Sequence, residues 1–184
     1  TSSSLKMPSR PIVARTASST SCGLPIGLKM SYVPSWISAV AIGRPEQGTD
    51  MLIAQITDIH IGFDPDNPAE YNRKRLDEVL DVLIDGPNRP DLLLATGDIT
   101  DRGDEDSYRR LATAFSRCPF PVWPSVGNHD VRDNFHARFP GFDDGNGFVQ
   151  YTIELPELRL VTADTLEEGR HGGAFCDRRA AWLD

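Results

Sequence analysis

The chain has 184 residues, of which 39% are hydrophobic and 25% charged, enough for one ordinary domain with a buried core. Its formal net charge of −8 argues against a nucleic-acid-binding surface, because phosphate backbones are bound by clustered Lys and Arg, and it favours a cationic partner such as a metal ion. Three widely spaced cysteines suggest neither a disulfide framework nor a Cys-rich zinc site, and no apolar run approaches the ~20 residues that span a bilayer. We therefore predict a soluble, cytoplasmic protein with reduced thiols and no membrane partner.

The beginning of the chain differs in composition from the rest. Residues 1–49 hold five basic residues against one acid and are rich in Ser, Thr, Pro and Gly. This composition resembles an organellar transit peptide, although it shows no clear amphipathic helix. The alternative is that the native product begins at Met51 and that upstream sequence is read in the same frame. In both cases we expect residues 1–50 to be a poorly ordered or non-native leader without catalytic function, followed by a domain over residues 51–184.

The domain begins with a predicted buried strand at residues 51–57. Asn67 is a candidate N-cap of the helix that follows, with Pro68 at the first helical position and Glu70 three residues after the cap. The Gly-Pro pair at 86–87 predicts the end of this helix. Its apolar residues recur at helical spacing: Leu76, Val79, Leu80, Leu83 and Ile84.

Residues 91–96 predict a second continuous apolar strand, of the type found when both faces of a parallel sheet are covered. A second helix and a third strand, at 122–126, follow. Residues 148–153 and 158–163 predict two further strands joined by a turn at Pro156. The stripe of the second helix consists of Tyr108, Leu111, Ala112 and Phe115. This order of elements indicates an α/β fold with helices layered over a sheet.

Side chains that can bind metals follow each of the first three strands. In open α/β sheets, functional groups collect in the loops at the carboxyl ends of the strands. Asp58 and His60 are two residues apart, so in an extended backbone both would point to the same side and one ion could take both. Oxygen and imidazole ligands together suit iron, manganese or zinc better than calcium. The three blocks are Asp58-Ile59-His60, Gly97 to Gly103, and Gly127-Asn128-His129-Asp130.

The second block places a carboxylate directly after a glycine. Gly97 has no side chain, so the backbone can turn sharply there and a ligand can approach, and the carboxylate of Asp98 could bridge two ions. Taken singly, an Asp after a strand is more typical of a turn or a helix cap. A purely structural sheet does not need such groups at three successive strand ends, and the combination favours a metal site.

At these residues the chain resembles the calcineurin-like metallophosphoesterases, whose signature is Asp-x-His, Gly-Asp and Gly-Asn-His-Asp or Glu, followed by two later histidine motifs. The resemblance covers residues 51–184 and includes the first three blocks. It implies a layered α/β/β/α sandwich, of which this chain would hold the first, N-terminal half. It also implies that Asp58 and His60 bind one metal, that Asp98 bridges both metals, and that Asn128 binds the second.

The resemblance implies catalytic roles for three residues. His129 would contact the phosphoryl or leaving-group oxygen as a hydrogen-bond donor or general acid. The run Gly-Asp-Ile-Thr-Asp-Arg-Gly is similar to the corresponding block of the family's protein phosphatases, in which the second Asp orients the catalytic His and the Arg meets the phosphate. Asp101 and Arg102 would inherit those two roles. The alternative for this pair is a surface ion pair beside a helix start.

The activity that the resemblance implies is hydrolysis of a small phosphodiester, of the cyclic-nucleotide or glycerophosphodiester type found in the class III branch. The short loops and the leading Gln-Ile-Thr-Asp-Ile-His are most similar to that branch. Two divalent ions, iron or manganese first and zinc next, held about 3.5–4 Å apart, would generate a bridging hydroxide that attacks phosphorus. The alternatives are a phosphomonoesterase or protein phosphatase of the same fold, and a catalytically incomplete fragment without activity.

The two later histidine motifs of the family do not appear in the chain, where only His136 and His171 remain. We interpret His136 as part of a surface helix and His171 as part of a mobile loop, with a position lining the substrate cleft as the alternative for His171. The last residues, 180–184, predict the start of an amphipathic helix, so we expect a chain cut short at its C-terminus. The missing half is also where a homo-oligomer would form.

Overall fold

The computed structural model describes the backbone of residues 37–42 and, with side chains, residues 51–64, 67, 70–156 and 158–184. In chain order the elements are β1 (Ile37–Ile42), β2 (Met51–Thr57), α1 (Tyr71–Asp85), β3 (Leu92–Thr96), α2 (Glu105–Phe115), β4 (Val122–Pro124), α3 (Arg132–Arg138), β5 (Tyr151–Glu154), β6 (Arg159–Thr162) and α4 (Asp177–Leu183). The predicted α/β class is confirmed. No helix in these ranges is long and apolar enough to cross a membrane.

The strands form two sheets. In the larger sheet the order is β1-β2-β3-β4, with β2, β3 and β4 parallel and β1 antiparallel to β2. Thr57 lies opposite Thr96 at the ends of β2 and β3, so the loops that follow them leave the sheet at the same level. Strands β5 and β6 form a separate antiparallel pair, as predicted. The parallel arrangement therefore brings the three predicted blocks to one edge of the sheet.

Helices α1 and α2 follow the predicted apolar stripes. The buried residues of α1 are Leu76, Val79, Leu80 and Leu83, and those of α2 include Tyr108, Leu111 and Phe115. The C-cap of α1 is Gly86, which confirms the predicted stop. Helix α2 begins after Asp104, whose side chain accepts a hydrogen bond from the backbone N–H of Ser107 and so stabilises the first turn.

The predicted start of α1 is wrong. The helix begins at Tyr71 with Glu70 in the N-cap position, so Asn67 is not the cap, and Pro68 lies outside the described residues. Glu70 is buried, and its side chain accepts hydrogen bonds from the backbone N–H groups of Gly62 and Phe63 instead of capping the helix. The carboxylate therefore ties α1 to the loop that follows β2.

Other boundaries differ from prediction in smaller ways. Strand β4 ends at Pro124, two residues earlier than predicted. The predicted leader, residues 1–50, lies outside the described residues except for Ile37–Ile42, a strand that the sequence analysis did not predict. Helix α4 confirms helical structure near residue 180, although it begins earlier, at Asp177.

The core beside the third block is aromatic. Phe135 of α3 and Phe139, the C-cap of this helix, are buried with ring centroids 5.2 Å apart in a tilted arrangement. Phe135 also lies edge-to-face with Tyr108 of α2, at a centroid distance of 6.1 Å, and such contacts stabilise aromatic clusters beyond the area that they bury. Helix α3, and with it the loop that precedes it, is thereby fixed against α2.

Candidate metal centre

The first two blocks turn sharply where they leave the sheet. Asp58, His60 and Asp98 have φ values of 54°, 48° and 46°, in the left-handed region that residues other than glycine rarely adopt. The expectation of an extended backbone at Asp58 and His60 is therefore wrong. Backbone hydrogen bonds fix these turns: the N–H of Asp58 donates to the carbonyl of Gly97 at 3.2 Å, and that of His60 to the carbonyl of Asp98 at 2.9 Å.

The turns nevertheless bring the predicted side chains together. Asp58, His60 and Asp98 each offer one ligand atom, and these atoms all lie within 4.8 Å of one another. The Nε2 atom of His60 lies 3.9 Å from Oδ2 of Asp98. A second group with the same spacing consists of His60, Asp101 and His129. Either group could hold a divalent ion, and His60 belongs to both.

Asn128 lies in the same cavity as the two carboxylates. The cavity has a volume of about 190 Å³ and is open to solvent. The residues that line it are Asp58, Gly97, Asp98, Gly127, Asn128, Thr165, Leu166, His171, Gly172 and Gly173. Of the two remaining histidines, His171 therefore takes the alternative position, lining the cleft, whereas His136 lies on α3 as expected.

Asp101 and His129 lie beside the first group. The carboxylate of Asp101 is 3.2 Å from Nδ1 of His60 and 3.9 Å from Nδ1 of His129. Nδ1 of His129 donates instead to the backbone carbonyl of Asp101 at 2.8 Å. This hydrogen bond raises the pKa of His129 above its ordinary value, against a desolvation effect, and the negative charges of Asp98 and Asp101 add to the increase. His129 is thus biased toward its protonated form, with Nδ1 engaged.

Arg102 lies at the edge of this group. Its side chain is 64% exposed, and its Nε atom is 3.5 Å from Oδ2 of Asp101. That geometry fits the alternative interpretation, an exposed ion pair, and also leaves the guanidinium free to move toward a ligand. The structure therefore brings Asp101 among the histidines and leaves Arg102 at the surface.

Sequence analysis assigned no role to Asp130, the last residue of the third block. Asp130 is 2% exposed and accepts five hydrogen bonds. The donors are the N–H groups of Ile99, Thr100 and Gly127 and the hydroxyls of Thr100 and Tyr108. Burial raises the pKa of this carboxyl, and the hydrogen bonds from Gly127 and Thr100 oppose that increase. The only feature of the sequence that could have indicated a role for Asp130 was its place in the Gly-Asn-His-Asp block. In the structure, Asp130 joins the second block to the third.

Gly127 is required by the close approach of these two blocks. A Cβ atom at this position would lie 2.3 Å from Oδ1 and 2.4 Å from the backbone nitrogen of Asp98. The neighbouring N–H of His129 donates to the same Oδ1 at 3.0 Å. A side chain at residue 127 would therefore displace the carboxylate of Asp98, which belongs to the first group of ligands.

Comparison with known proteins gives one family and several relatives. The family model for the calcineurin-like phosphoesterase matches residues 51–173. The chain is 35% identical over 114 residues to a probable cyclic nucleotide phosphodiesterase of Rhodococcus erythropolis, covering 59% of the chain and 38% of that protein. It is 28% identical over 140 residues to the probable glycerophosphodiester phosphodiesterase GpdQ of Arcobacter nitrofigilis, covering 73% and 50%. To the 3′,5′-cyclic adenosine monophosphate phosphodiesterase CpdA of Pseudomonas aeruginosa it is 27% identical over 136 residues, covering 72% and 48%. The chain thus spans half or less of the length of these relatives.

Proposed function

The chain belongs to the calcineurin-like phosphoesterase family, and from that premise we propose that the full-length protein hydrolyses phosphodiesters with the help of two divalent metal ions. The substrate class that we propose is a cyclic nucleotide or a glycerophosphodiester, the classes named for the relatives. The observation that carries the proposal is the convergence of Asp58, His60 and Asp98 within 4.8 Å at the carboxyl ends of two parallel strands.

The donor set fits divalent ions. Two carboxylates, an imidazole and an amide oxygen are offered at one end of the sheet, and such mixed oxygen and nitrogen ligands suit iron or manganese, with zinc as the next choice. Asp58 and His60 would hold one ion, Asp98 would be shared, and Asn128 would hold the second. When bound, the ions lower the pKa of water and stabilise negative charge that develops on the phosphoryl oxygens.

Asp101 is proposed as a positioning residue for both histidines. Its carboxylate faces Nδ1 of His60 at 3.2 Å, which leaves Nε2 of His60 for the metal site and fixes the ring orientation. Its backbone carbonyl accepts from Nδ1 of His129 at 2.8 Å. The resemblance implies that the carboxylate of Asp101 orients the catalytic histidine. We propose instead that the carboxylate orients His60 and that the backbone carbonyl of the same residue orients His129.

His129 is proposed as the proton donor. Because Nδ1 donates to the carbonyl of Asp101, Nε2 carries a proton only in the imidazolium form of the ring, and the raised pKa of His129 favours that form. The imidazolium would give its Nε2 proton to the leaving-group oxygen. Arg102 is proposed to contact the phosphate from the edge of the site, which its exposed position permits.

We propose that the substrate is small, because the cavity at the candidate site has a volume of only about 190 Å³, below the range typical of drug-sized ligands. The location is cytoplasmic, where free thiols such as those of Cys118 and Cys176 are typical.

Comparison of two substrates tests the proposal. We expect the full-length protein, supplied with manganese, to hydrolyse bis-p-nitrophenyl phosphate faster than p-nitrophenyl phosphate, and chelation of the metal to abolish both activities. A clear preference for the monoester would replace the diesterase with a phosphomonoesterase of the same fold. Absence of both activities in the metal-loaded, full-length protein would refute the proposed phosphoesterase function.

A further inference from the structure

The cavity has a second wall that none of the three sequence blocks contributes. It is formed by residues 164–174, which we call the rim segment. Thr165, Leu166, His171 and the glycine pair at 172–173 line the cavity together with the proposed metal ligands. Whatever binds at the metal centre is therefore also bounded by the rim segment.

The start of the rim segment is anchored by a buried ion pair. The fully buried carboxylate of Asp164 accepts from Nε and Nη2 of Arg132 at 2.7 and 2.8 Å, a bidentate arrangement. It also accepts from the backbone N–H groups of Val149 and Leu166, both at 2.9 Å. Arg132 follows the third block directly, so this pair connects the wall that carries Asn128 to the wall that carries His171.

The two ends of the rim segment are held to each other. Arg179 of α4 is 7% exposed and donates through Nη1 to the backbone carbonyls of Asp164, Leu166 and Ala174. The N–H of Ala174 donates to the carbonyl of Thr165 at 2.9 Å. The base of the segment is thus fixed, and the exposed His171 lies in the loop between the two held ends, where it lines the cavity.

The imidazole of His171 is free to bind a ligand. Among the residues that the structure describes, it has no hydrogen-bond or ion-pair partner, whereas His136 donates to the carbonyl of Gly147 at 3.2 Å. Neither of the two groups of described residues that could hold an ion includes His171. Of the described side chains that line the cavity, His171 is the only one that can carry a positive charge.

We propose that His171 binds the phosphoryl group of the substrate from the side of the rim segment. The inference rests on the proposed function: Asp58, Asp98 and Asn128 would hold the cations, and a phosphodiester bound there would lie in the cavity that His171 also lines with a nitrogen donor. The contact exists before any bond breaks, so it contributes mainly to substrate affinity. His171 is in this sense a substrate-binding residue, distinct from the proton donor His129.

Steady-state kinetics of the full-length, manganese-loaded protein test this role. We expect His171→Ala to raise KM for bis-p-nitrophenyl phosphate by about tenfold, the loss typical of one hydrogen bond to a charged group, with kcat within about twofold. His171→Gln keeps a neutral donor and should raise KM less. Metal content and Tm should stay at wild-type values. His136→Ala, a histidine outside the cavity, is the matched control and should leave KM unchanged.

Two outcomes of that experiment would overturn the proposal. One is an unchanged KM in His171→Ala. The other is loss of bound manganese in this variant, which would make His171 a metal ligand rather than a substrate contact.

Calorimetric titration of inorganic phosphate separates this inference from the proposed function. If the wild type cleaves neither ester, the proposed function fails, yet phosphate binding to the manganese-loaded protein still decides the role of His171. We expect about tenfold weaker binding by His171→Ala than by the wild type or His136→Ala. Equal binding by all three proteins, or no binding by the wild type, would refute the contact.

Discussion

The two walls of the cavity are built in different ways. The metal-centre wall consists of short turns directly after parallel strands, where Asp58, His60 and Asp98 adopt left-handed conformations fixed by neighbouring backbone groups. The rim segment follows the antiparallel strand β6 and depends on charged side chains, above all the pair of Arg132 and Asp164. Both walls need contacts between distant parts of the chain, but the first uses backbone hydrogen bonds between adjacent strand ends and the second uses side-chain hydrogen bonds.

The largest expected effect concerns the metal-centre wall. Asp98→Asn should lower kcat/KM by more than about 10³-fold, because loss of the shared carboxylate removes charge that both ions need. His129→Ala should cost about 10²-fold with metal content unchanged, because only a proton donor is lost. Kinetics and metal analysis of both variants check the order. A His129→Ala variant that is impaired more than Asp98→Asn would contradict the shared role of Asp98.

The next effect concerns the rim segment. Asp164→Ala removes the carboxylate that Arg132 and Arg179 share and leaves, among the described carboxylates, only the 3.7 Å contact of Arg132 with Glu168, so we expect it to lower the free energy of unfolding by about 3–5 kcal/mol. Urea unfolding measures the change. Asp85→Ala, at an exposed position on α1, is the control and should stay within about 0.5 kcal/mol of the wild type. If both variants behave alike, the rim segment is not anchored through Asp164.

A smaller loss of stability is expected at the connection between the second and third blocks. Asp130→Asn places an amide NH2 group opposite backbone N–H groups, which cannot accept a hydrogen bond, and it should lower the free energy of unfolding by about 2–3 kcal/mol. Tyr108→Phe removes one of the five donors and should cost about 1 kcal/mol. Chemical denaturation of both variants tests the difference. Losses of equal size would mean that the other four donors matter little.

The smallest effect is a dependence of stability on pH. Burial would raise the pKa of Asp164, but hydrogen bonds from Arg132 and the backbone hold it below its ordinary value. Because the pKa of Asp164 is lower in the folded state, its ionised carboxylate stabilises the protein by the full amount at pH values above the unfolded-state pKa, about 3.9. This stabilisation is lost as the pH falls through the folded-state pKa. The stability difference between wild type and Asp164→Asn should therefore shrink from pH 7 to pH 3 in urea unfolding series. A difference that grows in acid would contradict the sign.

Sequence patterns predicted the elements with a clear period and missed the details that depend on dihedral angles. The stripes of α1 and α2 and the strand at 51–57 are correct because apolar spacing is a local property of the chain. The prediction that Asn67 caps α1 was wrong, because hydrophobic spacing does not show that Glu70 binds the loop after β2. An extended backbone at Asp58 was also wrong, because the same spacing carries no information on the sign of φ.

The amino-acid sequence by itself determined which groups leave the sheet at the ends of β2, β3 and β4, because parallel strands always place their carboxyl ends at one edge. Only the tertiary structure decided the partners of those groups. Asp101 contacts two histidines, and Asp130 accepts hydrogen bonds from the second and third blocks. His171 lines the cavity in a segment whose start is anchored by the pair of Arg132 and Asp164. The physical reason is distance along the chain. These partners are about 30 residues or more apart, and packing alone brings them within hydrogen-bonding range.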